Sequence, residues 1–551
     1  MLFAARSAVA LYRLLDTLPV FAGDPRITRL FTLIPGSDFA ADALAALDAV
    51  GGRSVPWAEA CAHTHDLVIA ASPKGDVLRL RGPHLRLPHG AGFNKSIPEE
   101  GSQDSASGLD PHHLLPREHP TGGTTVHALA HPGQLTRLAT AAPEAARRAR
   151  VIGDPTLDRL LASRSHRDAY RTALGTGPRR LIALTSTWGP DSLLARRPSL
   201  PAELAAHLPY DGYQLALIVH PNEHSLLGAF ELGERLAPAV DAGLVTAAAY
   251  QEWAAVLVAA DVLITDHGSS ALYYAAVGDR PVVGVHRGGA ELIPGTPMHQ
   301  LLAQVPQLGT PETVCEAVAA YPPGAGPAAA RAAFAARGEA LHRLRVEAYR
   351  LLELDLPRHP VAPTPLPRPA GPGRRPGAFD VHTEILPEGI RIDRRPAGLA
   401  LPARHLAAEY GVAGEHWVRS AGLLFRRPPA ATTGSPGVTG AGGVSWTADG
   451  WARHVLEEYP GCRVAGTVLP SGACLVGVWG RDTVYRVEAA ECRDGGRLVR
   501  ADPAVALSAL YAWCAGGREP GELDGRACLV GGRSHRLSLR PATEAEAAQA
   551  V

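Results

Sequence analysis

The chain has 551 residues, too many for a single hydrophobic core, so about three domains are expected. Hydrophobic residues make up 46% and charged residues 20%, the balance of a soluble globular protein. The formal net charge is zero, which argues against a nucleic-acid-binding surface, and no run of about 18 apolar residues marks a membrane-spanning helix.

Lysine occurs only as Lys74 and Lys95, so the many arginines reflect a compositional bias and Lys95 stands out. The cysteines are odd in number and form no CxxC pair, which fits reduced cytoplasmic thiols better than a disulfide or zinc framework. Arg6, Arg13 and Asp16 interrupt the apolar start, which reads as a strand over 2–5 and an amphipathic helix from Ser7, not as a secretion signal.

Residues 30–34, 67–71 and 85–87 read as further short strands and 38–50 as a helix. This alternation predicts a parallel sheet with helices on both faces. No GxGxxG follows, so a nicotinamide or flavin enzyme is not expected. The strand at 85–87 runs into Pro88-His89-Gly90-Ala91-Gly92-Phe93-Asn94-Lys95. Ligands of open α/β sheets gather beyond the carboxyl ends of the strands, and glycines let backbone approach them, so His89 is a functional candidate. A Gly-rich loop with an incidental histidine is the competing reading. His112, His113, His127 and His131 lack ligand spacing, and no metal site is expected.

A second α/β unit opens near Val151, with a helix over 155–174 and a strand over 180–185 ending in Ser186-Thr187-Trp188-Gly189-Pro190. The strand at 213–219 ends in His220-Pro221, and a helix over 247–259 precedes a strand at 262–264. Next come Thr265-Asp266-His267-Gly268-Ser269, a helix over 270–277, and a strand over 282–285 entered through Arg280-Pro281. Successive strands thus deliver polar turns to one sheet edge. At the Asp266 turn a helix N-terminus aims backbone N–H groups and the positive end of its dipole at one spot, a setting suited to phosphate. Ser269 or Ser270 can cap that helix or bind a phosphate oxygen, and the two jobs compete. An ordinary capped turn is the alternative, and Asp266 is also suited to orienting the turn.

Residues 328–354 read as one long helix crowded by Arg331, Arg337, Arg343, Arg345 and Arg350, either a solvated face or a membrane-touching one. The proline-rich stretch 357–378 reads as a semi-rigid linker. Beyond it, strand-like runs at 464–468, 474–479 and 483–487 and a helix over 504–514 give an α+β region whose role its residues do not state. The expected plan is therefore an N-terminal Rossmann-like unit (1–150), a second Rossmann-like unit (151–356), the linker (357–378) and the α+β domain (379–551).

Taken in order, Pro88-His89-Gly90-Ala91 with Lys95, Ser186-Thr187-Trp188-Gly189, His220-Pro221, Ile264-Thr265-Asp266-His267-Gly268-Ser269 and Arg280-Pro281 form a series. It resembles the CDP-glycerol glycerophosphotransferases of wall teichoic acid synthesis. That family carries Trp-His-Gly-Thr with a nearby Lys, Pro-Thr-Trp-Arg, His-Pro, and Ile-Thr-Asp-Tyr-Ser-Ser followed by a Lys-Pro turn. The likeness spans roughly 67–297 and departs at Gly189, His267, Gly268 and Tyr273, where the family keeps Arg, Tyr, Ser and an acidic residue.

The resemblance implies an α/β fold of GT-B type, two Rossmann-like domains facing a cleft. It implies transfer of a polyol phosphate from a CDP-activated donor to a hydroxyl acceptor in surface-polymer synthesis. It also implies His89 as general base and His220 as a donor-phosphate ligand or acid. Donor phosphate contacts would come from Lys95, Thr187, Asp266, His267, Gly268, Ser269 and Ser270. No cofactor is implied, because a helix N-terminus supplies positive potential. A lipid-linked acceptor would bring the enzyme to the cytoplasmic face of the plasma membrane. A nucleotide-sugar glycosyltransferase or epimerase, and a scaffold that binds without turnover, are the alternatives on the same fold.

Overall fold

The computed structural model describes residues 1–36, 40–72, 76–87, 91, 93–96, 114, 124–248, 252–399, 403–428 and 445–551. Six strands form the first sheet: β1 (Leu2–Ala5), β2 (Leu30–Leu33), β3 (Val68–Ala70), β4 (His84–Arg86), β5 (Thr125–Leu129) and β6 (Ala149–Val151). They lie in the order β2-β1-β3-β4-β5-β6, and every pairing is parallel. Strands β1, β3, β4 and β5 are buried along their whole length, as a parallel sheet covered on both faces requires. Strand β5 escaped the sequence reading because Thr125 and His127 break its apolar run.

The second sheet holds β7 (Arg180–Ser186), β8 (Tyr213–Val219), β9 (Val245–Thr246), β10 (Val262–Thr265) and β11 (Val282–Gly284). Its order is β11-β10-β7-β8-β9, again all parallel. Chain order reverses direction between β7 and β10, and a crevice opens outside the carboxyl ends of the two strands flanking such a reversal. The first sheet reverses in the same way between β1 and β3.

Two expected helices are broken. The one expected over 155–174 splits at Ser163 into Pro155–Ala162 and Arg167–Ala173. The Ser163 hydroxyl donates back to the Arg159 carbonyl at 2.8 Å and accepts from the Leu366 N–H at 2.9 Å. The arginine-rich helix expected over 328–354 is two helices, Ala325–Ala333 and Ala340–Leu351. They part where Phe334 is extended and Ala336 takes a φ of 48°. The Ala335 N–H in this break donates to the Ala130 carbonyl at 2.8 Å. No continuous arginine face results. Arg345 is buried and donates to the carbonyls of Val20 (3.1 Å) and His359 (2.6 Å), and Arg337 donates to that of Ala276. The helix Ala340–Leu351 crosses back to the first sheet, where Leu341, Leu344 and Tyr349 join Phe3, Leu11 and Phe21 in one core.

The proline-rich stretch is docked as a strap on the second unit. The Thr364 carbonyl accepts from Arg159 at 2.9 Å, the Leu366 carbonyl from the Tyr170 hydroxyl at 2.9 Å, and the Ala370 N–H donates to Glu252 at 2.7 Å.

Past the strap come β12 (Ala378–Leu386), β13 (Gly389–Pro396), β14 (His405–Glu409), β15 (Leu423–Arg426), β16 (Val464–Val468), β17 (Cys474–Val478) and β18 (Tyr485–Ala489). A small hairpin of β19 (Cys492–Asp494) and β20 (Arg497–Val499) precedes β21 (Ala527–Val530) and β22 (Arg533–Pro541). All but the hairpin close into a nine-stranded barrel in the order β12-β13-β21-β22-β18-β17-β16-β15-β14. The helix Ala504–Ala515 is apolar on every side, and it packs against β12, β13, β15, β16, β17, β18 and β21. It therefore fills the barrel, which explains a helix with no polar stripe. The expected α+β region is thus a closed barrel around a helix, an arrangement that removes exposed sheet edges.

The barrel docks on the amino ends of β7 and β8. Arg394 reaches Asp211 at 2.6 Å and Asp502 at 2.9 Å, and the Tyr210 N–H donates to the Arg394 carbonyl at 2.8 Å. Gly531 turns the β21–β22 hairpin with a φ of 56° so close that a Cβ there would stand 2.6 Å from the Asp211 carbonyl oxygen.

Candidate active site

Between the two sheets lies a cavity of roughly 1210 Å³ lined from the carboxyl ends of both. The first sheet contributes Arg6 and Ser7 after β1, Ser72 after β3, Leu87 after β4 and Leu129 at the end of β5. The second contributes Thr187 and Trp188 after β7, His220 after β8, and His267 to Ser270 after β10. The strap adds Pro360, Thr364 and Leu366, which the sequence reading had treated as spacer.

Asp266 sits beneath this surface, fully buried. Its Oδ2 accepts from the N–H groups of Thr187 (2.7 Å) and Leu193 (2.8 Å), and its Oδ1 accepts from the Gly268 N–H (2.8 Å). The carboxylate is thus spent on backbone, and the phosphate contact expected of it gives way to the orienting role: it clasps the β7 turn to the β10 turn. Gly268 suits that clasp, because a Cβ there would approach Asp266 Oδ1 to 3.1 Å and the Thr187 Cβ to 3.4 Å. A serine in its place would crowd this contact.

The helix Ser270–Val277 then opens with Ser269 in helical conformation, and no side chain caps it. The competition between capping and ligand binding is therefore decided against capping. Neither the Ser269 nor the Ser270 hydroxyl has a hydrogen bond among the described residues, and both line the cavity.

His267 extends into an ion-paired chain. Its Nε2 lies 3.0 Å from Glu291 Oε2, the same oxygen that Lys95 Nζ reaches at 2.7 Å. A carboxylate only accepts, so His267 donates from Nε2 and its Nδ1, buried and without a partner among the described residues, is the remaining ring nitrogen. Burial opposes ionisation of Glu291, but hydrogen bonds from His267 and Lys95 outweigh it and hold the carboxyl at about 2. Lys95 also lies 4.3 Å over the Trp188 ring. Backbone joins the halves at the same place: the Ser96 N–H donates to the Glu291 carbonyl at 2.7 Å and the Ile293 N–H to the Asn94 carbonyl at 2.9 Å. Gly189, where the family keeps Arg, has a φ of 91°, and a Cβ on it would stand 3.9 Å from Lys95 Nζ.

His220 opens the helix Pro221–Asp241, its Nδ1 accepting from the Asn222 N–H at 3.1 Å. That bond makes Nδ1 an acceptor. His89, the expected base, lies outside the described residues, while Leu87 and Ala91 on either side of it line the cavity.

No family model matches the chain, and no curated protein matches it. Among solved structures, the wall teichoic acid polymerase TagF is similar over 64% of this chain and 88% of its own, at 14% identity and a TM-score of 0.43. Anabaena Alr3699/HepE in complex with UDP and glucose is similar over 64% of this chain and 99% of its own, at 15% identity and a TM-score of 0.39.

Sequence reasoning brought Lys95, Thr187, His220, His267, Gly268, Ser269 and Ser270 to one cavity. It missed Glu291, although that residue stands in the polar turn after β11. It also missed a cluster around Tyr273. The buried Tyr273 hydroxyl donates to Asp154 Oδ2 at 2.6 Å, and Arg13 lies 4.9 Å over the Tyr273 ring. Asp154 also caps the N-terminus of the helix Pro155–Ala162. A partner contributed from over a hundred residues away leaves no local signal.

The cavity is basic. Arg6, Arg13, Arg29, Arg86, Lys95, Arg159 and Arg345 line it, against Asp16 as the acidic residue. Asp16, Asp154 and Glu291 pair with Arg159, Arg13 and Lys95, whereas Arg6, Arg29 and Arg345 have no carboxylate partner among the described residues.

Proposed function

We propose that the protein transfers a polyol phosphate from a CDP-activated donor to a hydroxyl acceptor in the synthesis of a surface polymer. The observation that carries the phosphate-bearing substrate is a basic interdomain cavity ending at two unpartnered serine hydroxyls and an uncapped helix N-terminus. The order of motifs from His89 to Arg280 is what supports CDP and a polyol phosphate.

In this reading the acceptor oxygen attacks the phosphorus of the polyol phosphate. The new P–O bond forms as the bond to the bridging oxygen breaks, and cytidine monophosphate leaves. His89 takes the acceptor's proton, since an unperturbed imidazole of pKa about 6.5 is largely neutral near pH 7. Charge developing on the leaving phosphate meets the Ser269 and Ser270 hydroxyls, the N–H groups behind them and the Nε2 proton of His220. Asp266 keeps these donors in place without touching substrate.

A donor panel tests the reading. Purified protein is incubated with CDP-glycerol, CDP-ribitol and common UDP- and GDP-sugars, and thermal shift and nucleotide release are followed. Stabilisation by the CDP donors with release of cytidine monophosphate is expected, and His89→Ala should abolish release while leaving donor binding intact. A response to UDP- or GDP-sugars alone would replace this function with sugar transfer.

A further inference from the structure

A second cleft, of about 620 Å³, lies at the opposite edge of the second sheet, where the barrel docks. Its walls come from the residues entering β7, β8, β10 and β11 on one side and from the barrel hairpins on the other. Arginine dominates it. Arg167 and Arg171 share the single carboxylate of Asp261. Arg497 of the β19–β20 hairpin pairs with Asp168 at 3.0 Å, and Arg533 pairs with Asp494 at 2.7 Å.

Three further guanidinium groups make no direct ion pair with a carboxylate among the described residues. Arg179 donates to the carbonyls of Gly175 (2.7 Å) and Thr176 (3.1 Å), Arg280 donates to that of Val258 (3.0 Å), and Arg180 is exposed at the start of β7. Asp393 is the one other acidic residue in the lining. Seven guanidinium groups thus meet four carboxylates, an excess of three positive charges in a chain whose formal net charge is zero. The Nε atoms of Arg167 and Arg280 are also buried without a hydrogen-bond partner. Buried N–H donors left unmatched are costly.

We propose that this cleft binds a small molecule carrying two or more linked phosphoryl groups, held between the second sheet and the barrel. Planar guanidinium forks match phosphoryl oxygens in pairs, and linked phosphates place enough negative charge in one ligand to meet an excess of three. A single phosphate fills little of the volume. The site stands apart from the interdomain cavity, since its residues lie before the strands and those of the cavity lie after them.

Inorganic tripolyphosphate is the probe, titrated calorimetrically into the full chain at low ionic strength, where such contacts are least screened. The wild type is expected to bind it with Kd below about 1 mM. The double variant Arg180→Ala, Arg497→Ala should weaken binding about tenfold or more. Arg497 is 66% exposed, so this variant should keep the wild-type Tm without probe. The double variant Ser269→Ala, Ser270→Ala should bind tripolyphosphate at this site as the wild type does. Orthophosphate should bind much more weakly than tripolyphosphate. No binding at low salt, equal binding of orthophosphate, or loss in the serine variant with none in the arginine variant would overturn the proposal.

Discussion

At its carboxyl edge the second sheet offers donors with nothing to hold, two serine hydroxyls and an uncapped helix N-terminus, above a carboxylate already spent on backbone N–H groups. At its amino edge the barrel is held by ion pairs, above all that of Arg394, which is 1% exposed between Asp211 and Asp502. Dipoles explain part of the contrast. In a parallel sheet the following helices all point their positive ends toward the carboxyl edge, so small hydroxyls suffice there to receive an anion. The amino edge has no such help and must use full charges, which then need carboxylates wherever they are buried. The carboxyl edge leaves small donors open to the cavity, whereas the amino edge seats the barrel and keeps beside it a cleft lined by arginines.

A large effect should come from breaking the edge that seats the barrel. Arg394→Ala removes the ion partner of Asp211 and leaves Asp502 with Arg427 alone, and should cost about 3 kcal/mol. A lowered Tm and faster proteolysis between sheet and barrel would register it. Donor affinity at the other edge should hold, and its loss would show that the two edges are not independent.

Asp266→Ala breaks the clasp instead. It strands three N–H groups, at about 1–3 kcal/mol for each buried one, so a loss of about 3 kcal/mol or more is expected together with donor binding. An unchanged Tm would remove Asp266 from the design.

A smaller, pH-dependent effect belongs to Glu291. Its carboxyl is held at about 2 in the folded chain against 4.5 ordinarily, so the folded state favours the ionised form. Its contribution is therefore complete above about pH 4.5 and lost as pH falls toward about 2. Glu291→Gln should flatten that part of the Tm–pH curve; a curve of unchanged slope would dismiss the Lys95–Glu291–His267 chain as a fastener between the halves.

The smallest effect on stability is expected from Ser269→Ala with Ser270→Ala. Because neither hydroxyl caps, the Tm should stay within the range of an ordinary surface substitution, about 0.5 kcal/mol. Donor affinity should fall about tenfold. A clear drop in Tm with unchanged affinity would return these serines to a purely structural role.

The sequence by itself determined the local pieces. Residues 2–5, 213–219 and 270–277 were legible as a strand, a strand and a helix because their apolar runs are short and bounded, and the polar turns that follow strands marked one sheet edge as the site. Only the tertiary structure decided what those pieces face. That Ser163 breaks a helix depends on Leu366, some two hundred residues away, and that Arg345 is buried depends on Val20 and His359. Barrel closure is a matter of which strands pair, and the apolar helix 504–515 gave no hint that nine strands would wrap it. Lys95 and Glu291 meet for the same reason: ion pairs follow distance in space, and spacing along the chain encodes only the neighbours within a turn or a strand.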